Sequence, residues 1–291
     1  MENLIRLNET QKEQFKNFIK NNRKKIIPKP KDILKKVLSK YDTNNINLTS
    51  ISQTIINLRE LSYNEFLIYE NEFNAVILRD IANNFSIADD ILSEISRDFF
   101  ERLPTDYESF KRYFSNYFGK YAGEISPYIY ELCLSNTQSR RSRAGKIFES
   151  IIYYLYEHFE YPYNSQAKIG KKAFSNLGLG KVVDSILPSV EAFKDSRTKT
   201  IVGSMKTTLR ERWQEVVEEI DRSNLPNIYL LTCDTDISIS KATQIKEHNI
   251  ILVVLKSTKE NLANFRNVIS FENYFSNEIT QVLDYWNKNN G

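Results

Sequence analysis

The 291-residue chain carries 40 Lys and Arg against 37 Asp and Glu, a net charge of +3, with 41% apolar and 12% aromatic residues. With only 8 Gly and 7 Pro it is neither collagen-like, linker-like nor disordered, and it is long enough for one large or two modest domains. Two distant cysteines, Cys133 and Cys233, support neither a secreted disulfide framework nor a Cys-rich zinc site.

The segment MENLIRLNETQKEQFKNFIKNNRKK lacks the uninterrupted apolar core of a signal peptide. No stretch approaches the roughly 18 apolar residues of a membrane span. The expectation is a soluble, cytoplasmic protein with no membrane partner. Residues 1–40 hold 12 Lys and Arg against 4 Asp and Glu, a local +8, which fits a basic arm near a polyanion as well as a solvated lysine face. Phe15, Phe18 and Ile19 recur at helix spacing after Asn8 and Thr10, either of which suits a cap. After two prolines, Ile33, Leu34, Val37 and Leu38 form another apolar face.

Residues 41–130 repeat Ile, Leu, Phe and Tyr at spacings of three and four, with breaks expected at Asp42–Asn47, Asn83–Ser86 and Leu103–Thr105. This predicts an all-helical N-terminal region ending near residue 120. The character then changes. SRRSRAGKIFESIIYYLYEHF reads as one amphipathic helix, with Ile147, Ile151 and Leu155 repeating at four. Arg140, Arg141, Arg143 and Lys146 crowd its expected start, where the helix dipole prefers anions; a docked phosphate would relieve that conflict.

Short Ile- and Val-rich runs follow: VVDSIL (182–187), TIVGSM (200–205), NIYLLTC (227–233) and NIILVVL (249–255) predict strands. Leu209, Trp213, Val216, Val217 and Ile220 predict a helix between the second and third. Ser240–His248 predicts another, and Tyr274–Lys288 a closing one. The alternation implies an α/β core whose central strands are covered on both faces.

The order of charges in this core carries the chemistry. Asp184 interrupts an apolar strand, which is costly unless it is paired or binds a metal. Lys206 ends a strand, Glu219 follows 13 residues later on the next helix, and Glu149 lies on the long helix. Oxygen ligands suit Mg, and phosphodiester hydrolysis wants a metal beside an ammonium. A structural Asp–Lys pair fits the same residues. The triplet Arg210, Glu211, Arg212 opens the helix after the Lys206 strand; arginine reads guanine and Glu accepts from cytosine, while a solvated, internally paired helix start is the alternative. Asp234 and Asp236 fit a strand-to-loop turn better than a metal pair. Gln166 is placed near the cleft without a role. His158 and His248 are the only histidines and lie 90 residues apart, against a His-based nuclease, and LGLGK (177–181) lacks the pattern of a phosphate loop.

Three passages, SRRSRAGKIFESIIYYL, VVDSILPS and SMKTTLRERWQEVVEE, together resemble the type II restriction endonucleases of the PD-(D/E)XK superfamily, in the branch that recognises CCGG-, CCNGG- or CCWGG-like sites. Val183 stands where many members have proline. Ser204 occupies the usual acidic position two residues before the lysine, and in this branch a downstream Glu substitutes for it.

The resemblance covers residues 137–255. It implies a restriction-endonuclease-like α/β core, a mixed central sheet flanked by helices, over residues 121–291. The helical region 1–120 would supply dimer and DNA contacts.

By the same likeness Asp184 would bind Mg, Lys206 would be the catalytic lysine, and Glu219 the displaced acid, with Glu215 and Glu218 as alternatives. Glu149 would be an accessory ligand. Arg210, Glu211 and Arg212 would read a G·C-rich core, and Arg140, Arg141, Arg143 and Lys146 would meet the DNA backbone. The partners implied are double-stranded DNA and a second copy of the chain, as homodimer or higher oligomer. An inactive DNA-binding module and a repair or methyl-directed nuclease of the same fold are the competing readings.

Overall fold

The computed structural model describes residues 7–85, 87–101 and 106–289. Six helices come first: α1 (Glu9–Ile26), α2 (Pro30–Leu38), α3 (Ile51–Asn84), α4 (Ile87–Glu101), α5 (Tyr107–Glu124) and α6 (Ser126–His158). Asn8 caps α1 by accepting from the Gln11 amide, while the Gln11 side chain returns to the Asn8 amide; these are two otherwise unpaired donors satisfied reciprocally. The expected break at Asp42–Asn47 is present as a 3-10 turn over Thr43–Asn45. That at Asn83–Ser86 coincides with the end of α3, with Ser86 itself outside the described residues; the one at Leu103–Thr105 lies outside them altogether.

The remainder alternates short elements: β1 (Asn164–Ser165), α7 (Gln166–Ile169), α8 (Lys171–Asn176), β2 (Ser185–Leu187), α9 (Val190–Asp195), β3 (Ile201–Lys206), α10 (Trp213–Ser223), β4 (Ile228–Thr232), α11 (Ile239–Glu247), β5 (Ile250–Val254), α12 (Lys256–Asn261), β6 (Val268–Ser270), α13 (Phe271–Asn273) and α14 (Ile279–Asn289). The strands lie side by side in chain order in one six-stranded sheet. β1–β2 and β2–β3 pair antiparallel, and β3 through β6 are parallel, so the sheet is mixed as expected. The two outermost strands, β1 and β6, were not predicted: at two and three residues they are too short to show a period.

Two compact units divide the chain. One comprises Met1–Lys29 and Asn64–Ser142, the other Pro30–Tyr63 and Arg143–Gly291, and the chain passes between them three times, between α1 and α2, within α3 and within α6. In the first, Phe15 packs edge-on against Tyr128 and Phe85, with ring centres 4.9 and 5.5 Å away. In the second, the sheet separates two apolar layers. Val202, Leu230 and Leu252 face Trp213, Val216, Ala242 and Ile245 of α10 and α11 in one continuous cluster. Ile151, Ile152, Leu155 and Tyr156 of α6 are fully buried, as are Phe271, Tyr274 and Phe275, and Tyr156 and Tyr274 share a hydroxyl–hydroxyl bond of 2.7 Å. Among the described residues no helix is long and apolar enough to cross a membrane.

The structure corrects two local expectations. α6 begins at Ser126, so Arg140, Arg141, Arg143 and Lys146 sit in the interior of a 33-residue helix and not at its start. The dipole acts only within the first turn, so no conflict there calls for a phosphate. In addition, α10 starts at Trp213, which leaves Arg210, Glu211 and Arg212 in the turn that precedes it.

Candidate active site

Asp184 lies at the entry to β2, one residue before its first paired position. Its amide donates to the Gly203 carbonyl at 2.8 Å, extending the antiparallel pairing with β3. The Asp184 carbonyl accepts from the Gln166 amide at 3.1 Å and the Tyr153 hydroxyl at 3.0 Å. Carboxylate Oδ2 accepts from the Met205 amide at 2.7 Å. The Gln166 side chain donates to the Gly180 and Val183 carbonyls at 3.4 and 3.3 Å, clamping the segment that leads into Asp184. Gly203, paired with Ser185 across β2 and β3, leaves room for the serine hydroxyl: a Cβ there would sit 2.6 Å from Ser185 Oγ and force it to move.

The electrostatics are conflicted. Burial, and then the Glu149 carboxylate, push Asp184 up to about 7; Lys206, the Met205 N–H and Lys146 oppose them. Tyr153 is held far above the ordinary phenol range by burial and by Asp184 and Glu149, so it stays a donor. Lys206 is the last residue of β3 and is buried, with Nζ 3.9 Å from Glu215. Glu149, on α6, accepts both of its hydrogen bonds from Lys146, at 3.0 and 2.8 Å.

The sequence-predicted residues therefore separate. Asp184, Lys206, Glu149 and Lys146 act on one another. Glu219 has its own surroundings: its Oε1 accepts from the Gly180 amide, the Ser223 hydroxyl and the Arg222 guanidinium, each at 2.7 Å. No hydrogen bond reaches Oε2 among the described residues. Gly180 lies so close that a Cβ would come within 2.2 Å of that oxygen. No three His, Cys, Asp or Glu side chains converge among the described residues.

Arg140 pairs with the fully buried Glu70 through bonds of 3.0 and 2.9 Å from Nε, and through its Nη2. Arg141 is exposed on the same helix. The triplet Arg210, Glu211 and Arg212 is exposed in its turn, with Arg210 at a φ of +40°. Sequence reasoning missed Tyr153, whose role depends on a contact 31 residues away, and gave Gln166 no function.

A mixed sheet with a half-buried carboxylate at the entry of one strand, a buried lysine at the end of its antiparallel neighbour and a second carboxylate on a neighbouring helix fits a nuclease of the restriction-endonuclease-like fold. Comparison with known proteins agrees. The family described as EcoRII C terminal matches residues 110–275, more than half of the chain. The type II restriction enzyme SsoII of Shigella sonnei is 33% identical over 279 residues, 94% of this chain and 84% of that enzyme. Metal-depleted Ecl18kI in complex with uncleaved, modified DNA superposes with a TM-score of 0.74 at 29% identity, over 98% of this chain and 87% of that one. The restriction endonuclease PspGI in complex with substrate DNA shares the fold, with a TM-score of 0.59 at 20% identity, over 89% of this chain and 94% of that one. The chain belongs to the EcoRII C-terminal family of type II restriction endonucleases.

Proposed function

We propose that the protein is a Mg-dependent endonuclease that hydrolyses both strands of a short palindromic DNA site with a G·C-rich core containing CCGG, in the plain or an interrupted form. The carrying observation is the Asp184 neighbourhood. A half-buried carboxylate is set against a second carboxylate, Glu149, and a buried strand-end ammonium, Lys206. Two repelling carboxylates suit a divalent cation. Mg2+ in particular uses one or two protein carboxylates and fills its remaining positions with water and substrate phosphate, so a set smaller than three fits it. Asp184, through the oxygen not bonded to the Met205 amide, and Glu149 would hold it. Bound there, it would stabilise charge on the scissile phosphate and acidify a water.

The chain's own residues do the rest. Lys206, excluded from bulk solvent, neutralises developing charge on the phosphate and orients the attacking water. Tyr153 and the Gln166 amide hold the Asp184 carbonyl oxygen and the Met205 amide holds its Oδ2, so its geometry is set before DNA arrives. Glu219 is the second acidic group that the resemblance supplies. Its Oε1 is anchored by three donors, and its Oε2, against Gly180, accepts no hydrogen bond among the described residues.

Arg210, Glu211 and Arg212, exposed beside the strand that ends in Lys206, read the G·C pairs, with Arg to guanine and Glu to the cytosine amino group. Arg140, Arg141, Arg143 and Lys146 form the backbone-contacting set on α6. A palindrome read by one copy of a turn requires two copies of the protein, hence a homodimer or a higher assembly, to which residues 1–120 would contribute contacts.

The test is digestion of unmethylated bacteriophage DNA with and without Mg2+, with run-off sequencing of the ends and Lys206→Ala alongside. Discrete, Mg-dependent fragments that vanish in the variant are expected. A random smear would overturn site specificity, and cutting by Lys206→Ala at the wild-type rate would overturn the assigned site.

A further inference from the structure

We infer that Asp234 is a positioning residue for the turn that carries Arg210, Glu211 and Arg212, and that it governs discrimination between DNA sites more than the hydrolytic step. This rests on the reading of that triplet as the base-contacting element.

β3 and β4 are parallel neighbours in which Lys206 stands opposite Thr232. The segments leaving both strands therefore emerge from the same edge of the sheet. One runs into the Arg-Glu-Arg turn and the other into the loop containing Asp234. The Asp234 carboxylate joins them. Its Oδ2 accepts from the Leu209 amide at 2.7 Å, its Oδ1 from the Asp236 amide at 3.1 Å, and its own amide donates to Thr232 Oγ1 at 3.1 Å. Thr232 is fully buried on β4, so the carboxylate is fixed from behind before it reaches across.

The other end of that bond is equally constrained. Leu209 is fully buried in the cluster beneath α10, and its carbonyl accepts from the Arg212 amide at 2.7 Å, closing a turn around Arg210 and Glu211. Arg210 within that turn has a φ of +40°, a region that a residue with a β-carbon occupies only when its surroundings enforce it. Among the described residues none of the three triplet side chains makes a side-chain hydrogen bond. The shape of the turn therefore comes from its backbone anchors, and Asp234 is the charged one.

Without that carboxylate the Leu209 N–H loses its acceptor inside the core, and Arg210 is free to leave the left-handed region. Bidentate contacts between arginine and guanine tolerate displacements of about 0.5 Å. Relaxation of the turn would therefore erode the preference for the correct base pair by about 10- to 100-fold, the range that one such contact supplies. Among the described residues Asp234 makes no hydrogen bond or ion pair with Asp184 or Lys206, so cleavage at saturating DNA should suffer less.

The experiment compares wild type, Asp234→Ala, Asp234→Asn and Arg210→Ala. The probes are oligoduplexes carrying the site found by run-off sequencing and duplexes with one G·C pair of it replaced by A·T. Asp234→Ala should lower the ratio of kcat/KM between cognate and substituted duplexes by about 10- to 100-fold, with kcat on the cognate duplex changing by less than about three-fold. Asparagine, which keeps an acceptor oxygen, should restore most of the ratio.

An unchanged ratio in Asp234→Ala, or an equal loss on every duplex that asparagine fails to restore, would overturn the inference. Arg210→Ala separates the two layers. If its ratio is also unchanged, the triplet reading fails; if only that of Asp234→Ala is unchanged, the triplet reading stands and this inference falls. Should the alanine variant not fold, Asp234→Ser carries the same expectations, since serine can still accept from residue 236 but is too short to reach Leu209.

Discussion

Asp184, half-buried, and Glu219, buried, are carboxylates of the same compact unit, yet they are surrounded in opposite ways. Glu219 is compensated: a backbone amide, a hydroxyl and a guanidinium converge on one of its oxygens. Asp184 is opposed: one amide bonds its carboxylate, Glu149 repels it, and burial pushes its proton affinity up to about 7. Burying a charge is costly, and a fold that merely needs stability pays that cost down with donors, as at Glu219. Leaving the conflict in place at Asp184 makes sense only where something absent from the chain resolves it, and perturbed carboxylates of this kind concentrate at functional sites. On the proposed function the contrast favours Asp184 as the place for the metal, and Glu219, although assigned by likeness to the same reaction, is also part of the framework.

The largest effect should come from Lys206→Ala. Removing the ammonium is expected to slow single-turnover cleavage of plasmid DNA by about 1,000-fold or more while leaving binding in gel shifts within a few-fold. The next pair sharpens the contrast directly. Glu149→Gln and Glu219→Gln should each slow cleavage by about 10- to 100-fold, but only Glu219→Gln should also destabilise the metal-free protein, by about 1–3 kcal/mol in urea unfolding, because it weakens three charge-assisted bonds. Glu149→Gln should leave that stability unchanged or raised, since it removes the repulsion on Asp184. Equal destabilisation by both would erase the distinction.

A pH experiment follows from the sign of the Asp184 shift. Its carboxyl titrates near 4 in the unfolded chain and is raised to about 7 in the fold, so between these values the folded state holds a proton that the unfolded state has lost. Stability of the metal-free protein should therefore fall as pH rises through this window. Asp184→Asn, which cannot ionise, should melt above wild type at pH 8, and the two should converge near pH 4. A wild-type advantage at pH 8 in the absence of metal would contradict the raised value. The smallest effect expected is at Gly180: Gly180→Ala forces a methyl against the Glu219 carboxylate and should cost about 1–3 kcal/mol, the usual penalty of overpacking, with cleavage reduced less than in Glu219→Gln.

Much of this unit was legible in the sequence because each central strand is a short, continuous run of Ile, Val and Leu bounded by polar residues, and α10 shows its apolar face at helical spacing. Asp184 and Lys206 stood out for the same reason: a charge is conspicuous inside an apolar run. What the sequence hid were facts of register and capping. The start of α6 was misplaced because SPYIYELCLSN keeps helical propensity without signalling that it joins the basic segment. The Arg-Glu-Arg triplet was put on α10 because nothing local announces the left-handed Arg210 that holds it outside. Tyr153, Gln166 and Asp234 were invisible as positioning groups, since each acts through a backbone atom that only folding brings near.

If a divalent cation resolves the conflict at Asp184, the affinity for DNA will report it. The equilibrium binding of a cognate oligoduplex to wild type and Asp184→Asn would be measured at pH 8 with EDTA and with Ca2+. Wild type should bind weakly in EDTA, where the carboxylates repel the scissile phosphate, and at least about 10-fold more tightly with Ca2+. Asp184→Asn should already bind more tightly than wild type in EDTA and gain little from the cation. An equal gain from Ca2+ in both proteins would place the metal elsewhere than Asp184.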